Sequence, residues 1–356
     1  MNDNKKVLVA MSGGVDSAVA ALLLSKSYDI TGITMRLWDN GTPLPNALCC
    51  DPDQNATDAK AIADILGFPH CTVSLGESFK SCVVDRFISD YRHGKTPNPC
   101  VECNKCIKFG KLFEVASDMG FEYLATGHYA RITQENDGSY RLRTATDKNK
   151  DQSYFLWSIK RSLLPFILFP LGEMNKSQIR AIASANGLPS ASRSDSQDIC
   201  FVPDGDYISF IKDQGFNISS PGDFVDIEGK RLGEHQGIER YTIGQRKGLG
   251  IALGKPIFVG KKDVMSNTVT LCSDDELYTD SLSADSVNIL ADIPVDTPTR
   301  LEAKIRFRHS PAPATVTLQN DGNLKVVFDQ PQRAISPGQS VVLYDGDIVI
   351  GGGIIK

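Results

Sequence analysis

Long apolar runs are missing from this sequence. Its uninterrupted apolar stretches are far shorter than the ~18 residues that a membrane-spanning helix requires. The opening residues, MNDNKKVLVAMSG, carry no cleavage pattern of a secretory signal peptide, and no repeat or low-complexity tract stands out. From these absences we expect a soluble, cytoplasmic protein that has no membrane partner.

The cysteines lack the pattern of a disulfide framework. The 356-residue chain contains nine of them, an odd number, and no export signal accompanies them. Some of these thiols are therefore expected to carry out chemistry or to bind a metal. With 41% hydrophobic and 23% charged residues, a chain of this length is expected to form two or three domains.

An overall excess of basic residues is also missing, since the net charge is −5. This value argues against a globally basic nucleic-acid-binding protein, but basic residues cluster locally in residues 92–111, 239–262 and 300–308. A single cluster of this kind is better explained as solvated surface charge. Three such clusters make binding to a local polyanion a competing interpretation.

The first half of the chain alternates strand and helix patterns, which predicts an α/β domain with a mostly parallel sheet. Strands are predicted at residues 6–11, 30–38, 70–75 and 123–132, and helices at residues 16–26, 53–66, 77–91 and 107–119. A loop rich in Pro, Asn and Cys is predicted before the last of these helices. A further helix is predicted in NKSQIRAIASANGLP, which has an Asn cap and a Gly-then-Pro stop.

The composition of the sequence changes after about residue 201, where glycine becomes frequent and short β-type segments appear between turns. Beyond about residue 280 the chain reads as alternating strands joined by turn residues, including the hairpin signal NDGN. This pattern predicts a small all-β barrel or sandwich. The predicted domains are residues 1–205, 206–278 and 279–356.

A phosphate-binding loop is predicted where Ser12, Gly13, Gly14 and Ser17 lie between a strand and a helix. Adjacent glycines let backbone N–H groups approach phosphate oxygens, and the helix N-terminus adds partial positive charge. A Walker-type loop would place a lysine after its second conserved glycine, and SGGVDS lacks one. The segments HGKT and LGKP do not supply such a loop either.

The segment SGGVDS resembles the pyrophosphate loop of the ATP-pyrophosphatase family, whose members split ATP into AMP and pyrophosphate. The resemblance implies that the loop holds the leaving pyrophosphate, that Asp16 helps to place Mg²⁺, and that the α-phosphorus is open to attack by a substrate oxygen. The alternative is an ordinary glycine turn in which Asp16 only begins the helix. The strand–loop–helix context favours the pyrophosphate loop.

Three cysteines, Cys100, Cys103 and Cys106, follow one another at intervals of three residues in TPNPCVECNKCIKFG, and Cys200 lies in SDSQDICF. A thiolate is favoured near a helix N-terminus and beside lysines, so Cys103 is predicted to be a reactive thiol. Two thiols that meet at one nucleotide site would allow one to carry sulfur and the other to release it by forming a disulfide.

Seven motifs together resemble the bacterial tRNA-specific 2-thiouridylase family, in the expected order and through nearly the whole chain. They are AMSGGVDS, TPNPCVECNKCIKFG, ATGHYAR, KDQSYFLW, SDSQDICF, YTIGQRKGLG and SPGQSVVLY. The resemblance implies an N-terminal α/β domain of the adenine-nucleotide α-hydrolase type, a small central domain and a C-terminal β-barrel.

The resemblance also implies a reaction. ATP activates the C2 carbonyl of the wobble uridine of tRNA as an adenylate and pyrophosphate leaves. A persulfide on Cys200, loaded by a cysteine desulfurase or a sulfur-relay protein, supplies sulfur to C2 and AMP leaves. Cys103 completes the transfer by forming a disulfide with Cys200.

By motif position, the resemblance implies three groups of site residues. Those expected to contact ATP are Ala10, Met11, Ser12, Gly13, Gly14, Val15, Asp16, Ser17, Met35 and Gly127. Those expected to face the target base are Asn98, Pro99 and Cys100. Those expected to contact tRNA are His128, Lys150, Asp151, Gln152, Arg306, Phe307 and Gln339. Tyr129, Tyr154 and Phe307 are candidates for stacking on anticodon bases, with burial in the core as the alternative.

One position departs from the family pattern, because many members carry Asp where this chain has Cys100. That carboxylate is a candidate general base, so the base of the reaction stays open here. Cys100, Cys103 and Cys200 would alternatively offer three ligands to an iron–sulfur cluster, although the persulfide route is favoured.

The remaining cysteines receive simpler interpretations. Cys71, Cys82 and Cys272 are predicted to be small buried apolar residues. Cys49 and Cys50 flank a loop with Asp51 and Asp53, where a metal is the alternative to ordinary loop residues. Two rival functions stay open: an ATP-pyrophosphatase that acts on a small molecule, and a non-catalytic protein that binds tRNA or a cluster.

Overall fold

The computed structural model describes residues 5–38, 52–192, 199–202, 205–251 and 254–356. The chain divides into two compact units. The first unit comprises Met1–Val83, Cys100–Gly205 and Asp347–Ile350, and the second comprises Val84–Pro99, Asp206–Gly346 and Gly351–Lys356.

The elements of the N-terminal part alternate as the sequence predicts. In chain order they are β1 (Lys6–Ala10), α1 (Val15–Leu24), β2 (Asp29–Arg36), α2 (Pro52–Leu66), β3 (His70–Ser74), α3 (Gly76–Phe79), a π-helical segment (Lys80–Val84), α4 (Asp85–Arg92), α5 (Pro99–Glu102), a second π-helical segment (Cys103–Lys111), α6 (Leu112–Asp118), β4 (Tyr123–Ala125), β5 (Ala130–Gln134), β6 (Tyr140–Thr144), β7 (Ile167–Leu168) and α7 (Lys176–Ala185). Short 3₁₀ turns lie at Ser153–Phe155, Arg161–Phe166 and Pro189–Ser192.

The C-terminal part is mostly β-structure. Its elements are α8 (Tyr207–Asp213), β8 (Gly222–Val225), β9 (Arg231–His235), β10 (Phe258–Asp263), β11 (Thr268–Cys272), β12 (Tyr278–Ile289), β13 (Thr299–Lys304), β14 (Ala312–Leu318), β15 (Leu324–Arg333), β16 (Ser340–Asp345) and β17 (Ile348–Ile355), with 3₁₀ turns at Ile238–Arg240 and Asp275–Leu277.

The first unit is built on a five-stranded parallel sheet with strand order β3-β2-β1-β4-β7. The central strand β1 is apolar throughout its middle, and Val7, Leu8 and Val9 are fully buried, as expected for a parallel strand covered on both faces. The chain leaves β1 toward β2 on one side, whereas β4 pairs with β1 on the other. The order of strands therefore reverses between β1 and β4, which is where open α/β sheets bind ligands at the carboxyl ends of their strands.

Helix α7 confirms its sequence prediction in detail. Asn175 is the N-cap, its side chain accepts from the Gln178 amide, and the Gln178 side chain accepts from the Asn175 amide at 2.9 Å. This reciprocal capping box satisfies two backbone donors at the start of the helix.

One predicted strand, residues 123–132, is in fact two strands that belong to different sheets. β4 pairs parallel with β1, and β5 pairs antiparallel with β6. The chain turns between them at residues 126–129, because Gly127 packs directly against the first turn of α1. The alternation of apolar residues alone does not reveal such a turn.

The loop predicted around the three closely spaced cysteines is helical from Pro99 onward. Pro99 begins α5, a position at which its missing N–H leaves no hydrogen bond unmade. The π-helical segment Cys103–Lys111 follows without a break and carries both Cys103 and Cys106. π-Helical turns are frequent at functional sites.

The second unit contains a four-stranded sheet with order β10-β11-β8-β9 and a six-stranded barrel. The barrel runs β12-β15-β14-β13-β16-β17 and is closed by pairing between β12 and β17. The predicted C-terminal barrel is therefore confirmed. Within the described ranges, no helix has the length and apolar character needed to cross a membrane.

Candidate nucleotide and thiol site

The loop after β1 has the geometry of an anion-binding turn. Gly13 has a φ of 73°, and a Cβ atom added there would lie 2.8 Å from Cβ of Asp58 and 3.1 Å from the carbonyl oxygen of Asn55. A side chain therefore does not fit at this position. Gly14 is the N-cap of α1, and among the described residues it has no side-chain capping hydrogen bond. The backbone amides of a first helical turn have no partner within the helix, which suits this end of α1 to an anion.

Ser17 fixes the shape of this loop from inside. Its hydroxyl is buried, accepts from the Ser12 amide at 3.2 Å and donates to the Gly14 carbonyl at 3.1 Å. Ser17 therefore positions the loop rather than facing open solvent. Met11 and Val15 are also buried, and the Met11 sulfur packs so closely on Gly32 that a Cβ there would lie 2.7 Å away.

Two further residues expected at the nucleotide lie on the same sheet. Ala10 ends β1 and pairs with Ile33, and Met35 is half-buried near the end of β2, paired with Val73. Both positions lie toward the carboxyl edge of neighbouring strands. The order of strands reverses between β1 and β4, and ligands of open α/β sheets bind at this carboxyl edge.

The loop after β4 closes over the start of α1. A Cβ atom on Gly127 would lie 2.9 Å from both the Asp16 carbonyl carbon and the Ser17 amide nitrogen, so only glycine permits this approach. Two residues later, the Tyr129 hydroxyl donates to Oδ1 of Asp16 at 2.6 Å. Tyr129 is buried, so it belongs to the core rather than to a base-stacking surface.

Sequence analysis misses Lys176, which supplies a cation to the loop. Its ammonium lies 2.8 Å from Oδ1 and 2.9 Å from Oδ2 of Asp16, and its side chain is only 13% exposed. Lys176 is the first residue of α7, where the helix dipole disfavours a positive charge. A lysine directly after a well-formed N-cap is therefore the local signal in the sequence that points to this residue.

The Asp16 carboxylate is already occupied in this structure, since Lys176 and Tyr129 both hydrogen-bond to it. The described ranges contain no group of three His, Cys, Asp or Glu side chains that is arranged to hold a metal ion. The residues present do not form a site for Mg²⁺ by themselves. Cys100, Cys103 and Cys200 are among the residues covered, and they do not form the ligand set of an iron–sulfur cluster.

His128 is buried beneath the loop after β4. Its Nδ1 lies 2.6 Å from Oγ1 of Thr126, and its Nε2 lies 3.3 Å from Nζ of Lys108. Burial, and then the Lys108 charge, lower the pKa of His128 well below its ordinary value of 6.5. The imidazole is therefore neutral at pH 7, and the hydrogen-bond network assigns acceptance from the Lys108 ammonium to Nε2 and donation to Thr126 to Nδ1.

Lys108 connects His128 to a group of thiols. Desolvation is the main cause that raises the pKa of both Cys100 and Cys103, while the Cys200 thiol adds to this effect and the Lys108 charge opposes it. These four side chains therefore lie within range of direct electrostatic interaction. Residues from the π-helical segment, from α5 and from the distant segment 199–202 therefore lie near one another, and the catalytic roles expected for them stay predictions.

The position of Cys200 is set by its neighbour Phe201. That ring is buried and packs edge-on against Phe79 with centroids 5.6 Å apart, and it lies 6.5 Å from the ring of Trp38. Cys200 itself is exposed. The buried Phe201 side chain fixes this part of the backbone, while the exposed Cys200 thiol stays accessible to a reactant from solvent.

The predicted low pKa of Cys103 is wrong for this structure. Cys103 is buried, and desolvation raises the pKa of its thiol to about 12, although Lys108 acts in the opposite direction. Desolvation, followed by the Cys200 thiol, raises the pKa of the exposed Cys100 to about 11. Burial outweighs the neighbouring lysine because the thiol lies inside the helical segment rather than in a loop.

The other cysteines differ in part from their predictions. Cys272 is buried as predicted, whereas Cys71 and Cys82 are half-buried. Desolvation is the main cause of the raised pKa of Cys106, and the nearby Glu102 and Cys82 side chains raise it further. The predicted loop with Cys49, Cys50, Asp51 and the Asp53 side chain lies outside the described residues.

The residues of the KDQSYFLW motif mainly support the loop after β4. Asp151 is buried and accepts from the Ala145 amide and the Ser153 hydroxyl, both at 2.8 Å. Gln152 exchanges two hydrogen bonds with the Tyr129 backbone, at 2.8 and 2.9 Å. Lys150 is half-buried and Tyr154 is fully buried in the core.

In the second unit, the barrel loop of the SPGQSVVLY motif holds the segment before Cys100. The Gln339 amide donates to the Thr96 carbonyl at 2.7 Å, and the Thr96 amide donates to the Pro337 carbonyl at 2.8 Å. These two hydrogen bonds fix the backbone that leads to Asn98 and Pro99. Asn98 is half-buried and Pro99 is buried.

Arg306 and Phe307 lie side by side on the barrel but differ in their surroundings. The Arg306 guanidinium donates to the Ala334 carbonyl and to the Ser336 hydroxyl. Phe307 is 37% exposed, and the Lys304 ammonium lies 5.6 Å from its ring centroid. An exposed aromatic ring beside a cation is a suitable surface for a nucleic-acid base and its phosphate.

Three family descriptions match successive parts of the chain. Residues 5–204 match the tRNA methyl transferase HUP domain, residues 209–273 the tRNA methyl transferase PRC-barrel domain, and residues 279–355 the aminomethyltransferase beta-barrel domain. The predicted succession of an α/β domain, a small central domain and a β-barrel is confirmed by these matches. The fold and the glycine loop define an ATP-utilising protein of the pyrophosphate-loop class.

Full-length relatives narrow this class to one family. The chain is 46% identical to the tRNA-specific 2-thiouridylase MnmA of Acetivibrio thermocellus, covering 99% of both proteins. It is 44% identical to the protein of that name from Clostridioides difficile and 45% identical to that from Treponema denticola, covering 99% of this chain and 98% of the relative in each case. The chain belongs to the tRNA-specific 2-thiouridylase family.

Proposed function

We propose that the protein is an ATP-dependent sulfurtransferase that converts the wobble uridine of tRNA to 2-thiouridine. One connection in the first unit carries this proposal. Gly127 packs against the pyrophosphate loop, and the adjacent His128 contacts Lys108, which acts electrostatically on Cys100 and Cys103. Two consecutive residues thus link a nucleotide loop to a group of thiols, as coupled activation and sulfur transfer would require.

Lys176 takes the part of the lysine that the glycine loop lacks. The amides at the start of α1 would bind an anion, and the Lys176 ammonium lies close by on Asp16, a residue of the first turn. On binding of ATP, the ammonium turns toward the β- and γ-phosphates, which become the leaving pyrophosphate. The α-phosphorus is then attacked by the C2 oxygen of uridine, and the O–adenylate forms as the pyrophosphate leaves.

Sulfur transfer follows on the thiol side of the site. The terminal sulfur of a Cys200 persulfide attacks C2, and AMP leaves with the former carbonyl oxygen. Cys103 then attacks Sγ of Cys200, so that the sulfur bound to C2 is released as 2-thiouridine and a Cys103–Cys200 disulfide remains. The exposure of Cys200 suits loading by a persulfide donor, either a cysteine desulfurase or a sulfur-relay protein.

The remaining site residues are proposed to bind the tRNA and ATP. Asn98, Pro99 and Cys100 would face the target base. The RNA would also contact two further groups of residues, namely His128 with residues 150–152, and Arg306 with Phe307 and Gln339. Ala10, Met35 and residues 11–17 would contact ATP. We also propose domain boundaries at residues 1–205, 206–278 and 279–356, and a cytoplasmic location, where tRNA and ATP are found.

The test is the dependence of pyrophosphate release on tRNA. The purified protein is incubated with ATP, Mg²⁺, a persulfide donor and an unmodified tRNA transcript, and both pyrophosphate and 2-thiouridine are measured. We expect pyrophosphate only with tRNA, and we expect Cys200→Ser to abolish 2-thiouridine while tRNA binding is kept. Pyrophosphate release that ignores tRNA but requires a small molecule would instead indicate a small-molecule synthetase.

A further inference from the structure

A third thiol accompanies the two that the proposed reaction uses. Cys100 is the second residue of α5, and Cys103 follows three residues later in continuous helical chain. Side chains at this spacing lie on one face of a helix. Each of the two thiols interacts electrostatically with Cys200.

The two candidates for reaction with Cys200 differ in access. Cys100 and Cys200 are both exposed, whereas Cys103 is buried and only 8% of its surface is accessible. Disulfide exchange requires that a thiolate reach the sulfur it attacks, so access matters as much as acidity.

We propose that Cys100 is a second resolving thiol, which forms a disulfide with Cys200 after sulfur has reached the uridine. This inference deepens the proposed function and rests on it. It also gives a role to the position at which many members of the family carry Asp. In this chain that position would act as a nucleophile rather than as a carboxylate base.

The proposed disulfide-forming step conserves atoms and electrons. After AMP leaves, the transferred sulfur is bonded both to C2 of the base and to Sγ of Cys200. The Cys100 thiolate attacks Sγ of Cys200, the Sγ–S bond breaks, and its electron pair stays on the sulfur attached to C2. The base takes up a proton and leaves as 2-thiouridine, and the two cysteines are oxidised to a Cys100–Cys200 disulfide.

The first arm of the test does not depend on catalysis. The full-length protein and the variants Cys103→Ser, Cys100→Ser and Cys106→Ser are equilibrated with oxidised and reduced glutathione, alkylated and mapped by mass spectrometry. We expect a Cys100–Cys200 disulfide in Cys103→Ser, and the same disulfide beside Cys103–Cys200 in the unmodified protein and in the control Cys106→Ser. If Cys103→Ser instead leaves Cys200 as a mixed disulfide with glutathione, the inference is overturned.

The second arm measures one turnover. Protein carrying a Cys200 persulfide is mixed with ATP and tRNA without a reductant, and 2-thiouridine is counted per Cys200. We expect Cys103→Ser to keep 2-thiouridine formation, and Cys100→Ser/Cys103→Ser to lose it. Complete loss in Cys103→Ser, with Cys100 intact and the fold confirmed by circular dichroism, would overturn the inference.

The two arms separate failure of the inference from failure of the proposed function. If the unmodified protein yields no 2-thiouridine but glutathione still drives a Cys100–Cys200 disulfide, the function is wrong and the thiol pairing stands. If 2-thiouridine forms and only Cys103–Cys200 is found, the function stands and the role of Cys100 is rejected. Cys100→Ala repeats the assignment should Cys100→Ser fold poorly.

Discussion

The Lys176 ammonium bridges both carboxylate oxygens of Asp16, at 2.8 and 2.9 Å, although the two residues are 160 positions apart in the chain. Asp16 lies in the first turn of α1 and Lys176 at the first residue of α7. Each helix presents its positive dipole end at this point, so a carboxylate between two helix starts is favoured and a lysine there is not. The pair keeps the Lys176 ammonium beside the pyrophosphate loop, where a phosphate group with more negative charge than the Asp16 carboxylate would attract it.

Replacing Lys176 by Met removes this cation. We expect ATP affinity to fall by about 10- to 100-fold, corresponding to about 1.5–3 kcal/mol for a hydrogen bond to a charged group. Isothermal titration with ATP measures the change. Lys148→Met is the control, because Lys148 is exposed and donates to the Thr144 hydroxyl instead. Equal affinities for both variants would contradict the assigned role of Lys176.

Adding one carbon at Gly127 tests the contact between the two loops. In Gly127→Ala the new Cβ would lie 2.9 Å from backbone atoms of Asp16 and Ser17, and overpacking of this kind destabilises by about 1–3 kcal/mol. We expect a lower urea midpoint together with weaker ATP binding. Gly120→Ala, whose Cβ would meet nothing within 4 Å, is the control for an added methyl group without a clash, and it should leave ATP binding unchanged even though its φ of 77° destabilises the fold.

The buried thiol of Cys103 predicts sensitivity to alkaline pH. Its pKa rises from 9.0 to about 12 on folding, so the unfolded chain loses this proton first as the pH increases. The stabilising contribution is therefore complete below pH 9 and is lost as the pH rises toward 12, at about 1.4 kcal/mol per pH unit.

Urea unfolding at several pH values between 8 and 11 measures this effect. We expect the free energy of unfolding of Cys103→Ala to fall less steeply with pH than that of the unmodified protein. Parallel pH profiles for the two proteins would show that the thiol does not stay neutral in the folded state.

The hydrogen bond from Gln339 to the Thr96 carbonyl is expected to order the segment that leads to Asn98. Gln339→Leu leaves the Thr96 carbonyl without this donor, which destabilises the local fold by about 1–2 kcal/mol. We expect kcat/KM for tRNA to fall by the factor that corresponds to this free energy. Hydrogen exchange of residues 95–98 measures the local effect. Gln332→Leu is the matched control, because the half-buried Gln332 side chain donates to the Gln330 carbonyl and not to residues 95–98. Unchanged exchange in Gln339→Leu would refute the positioning role.

The sequence predicts best those features that depend on neighbouring residues. The strand, the two glycines and the helix around Gly13 form one local pattern, and the capping box at Asn175 is another; both are confirmed. The pairing of Lys176 with Asp16 depends on how two distant helices meet, and a pattern within one segment does not contain that information.

The errors concern burial and helix geometry. The proximity of Lys108 to Cys103 was predicted from spacing, but the dominance of desolvation follows only once the thiol is placed inside a π-helical segment. The turn at Gly127 was likewise hidden within an apolar alternation that reads as one strand. In both cases tertiary packing outweighs the local preference from which the prediction was made.

The fate of ATP tests the central claim most directly. With ATP labelled at the α-phosphate, a persulfide donor and excess tRNA transcript, labelled product and 2-thiouridine are counted in the same reaction. The account predicts one AMP for each 2-thiouridine and no labelled ADP. Labelled ADP formed in proportion to 2-thiouridine would contradict it, because the uridine oxygen would then not leave on AMP.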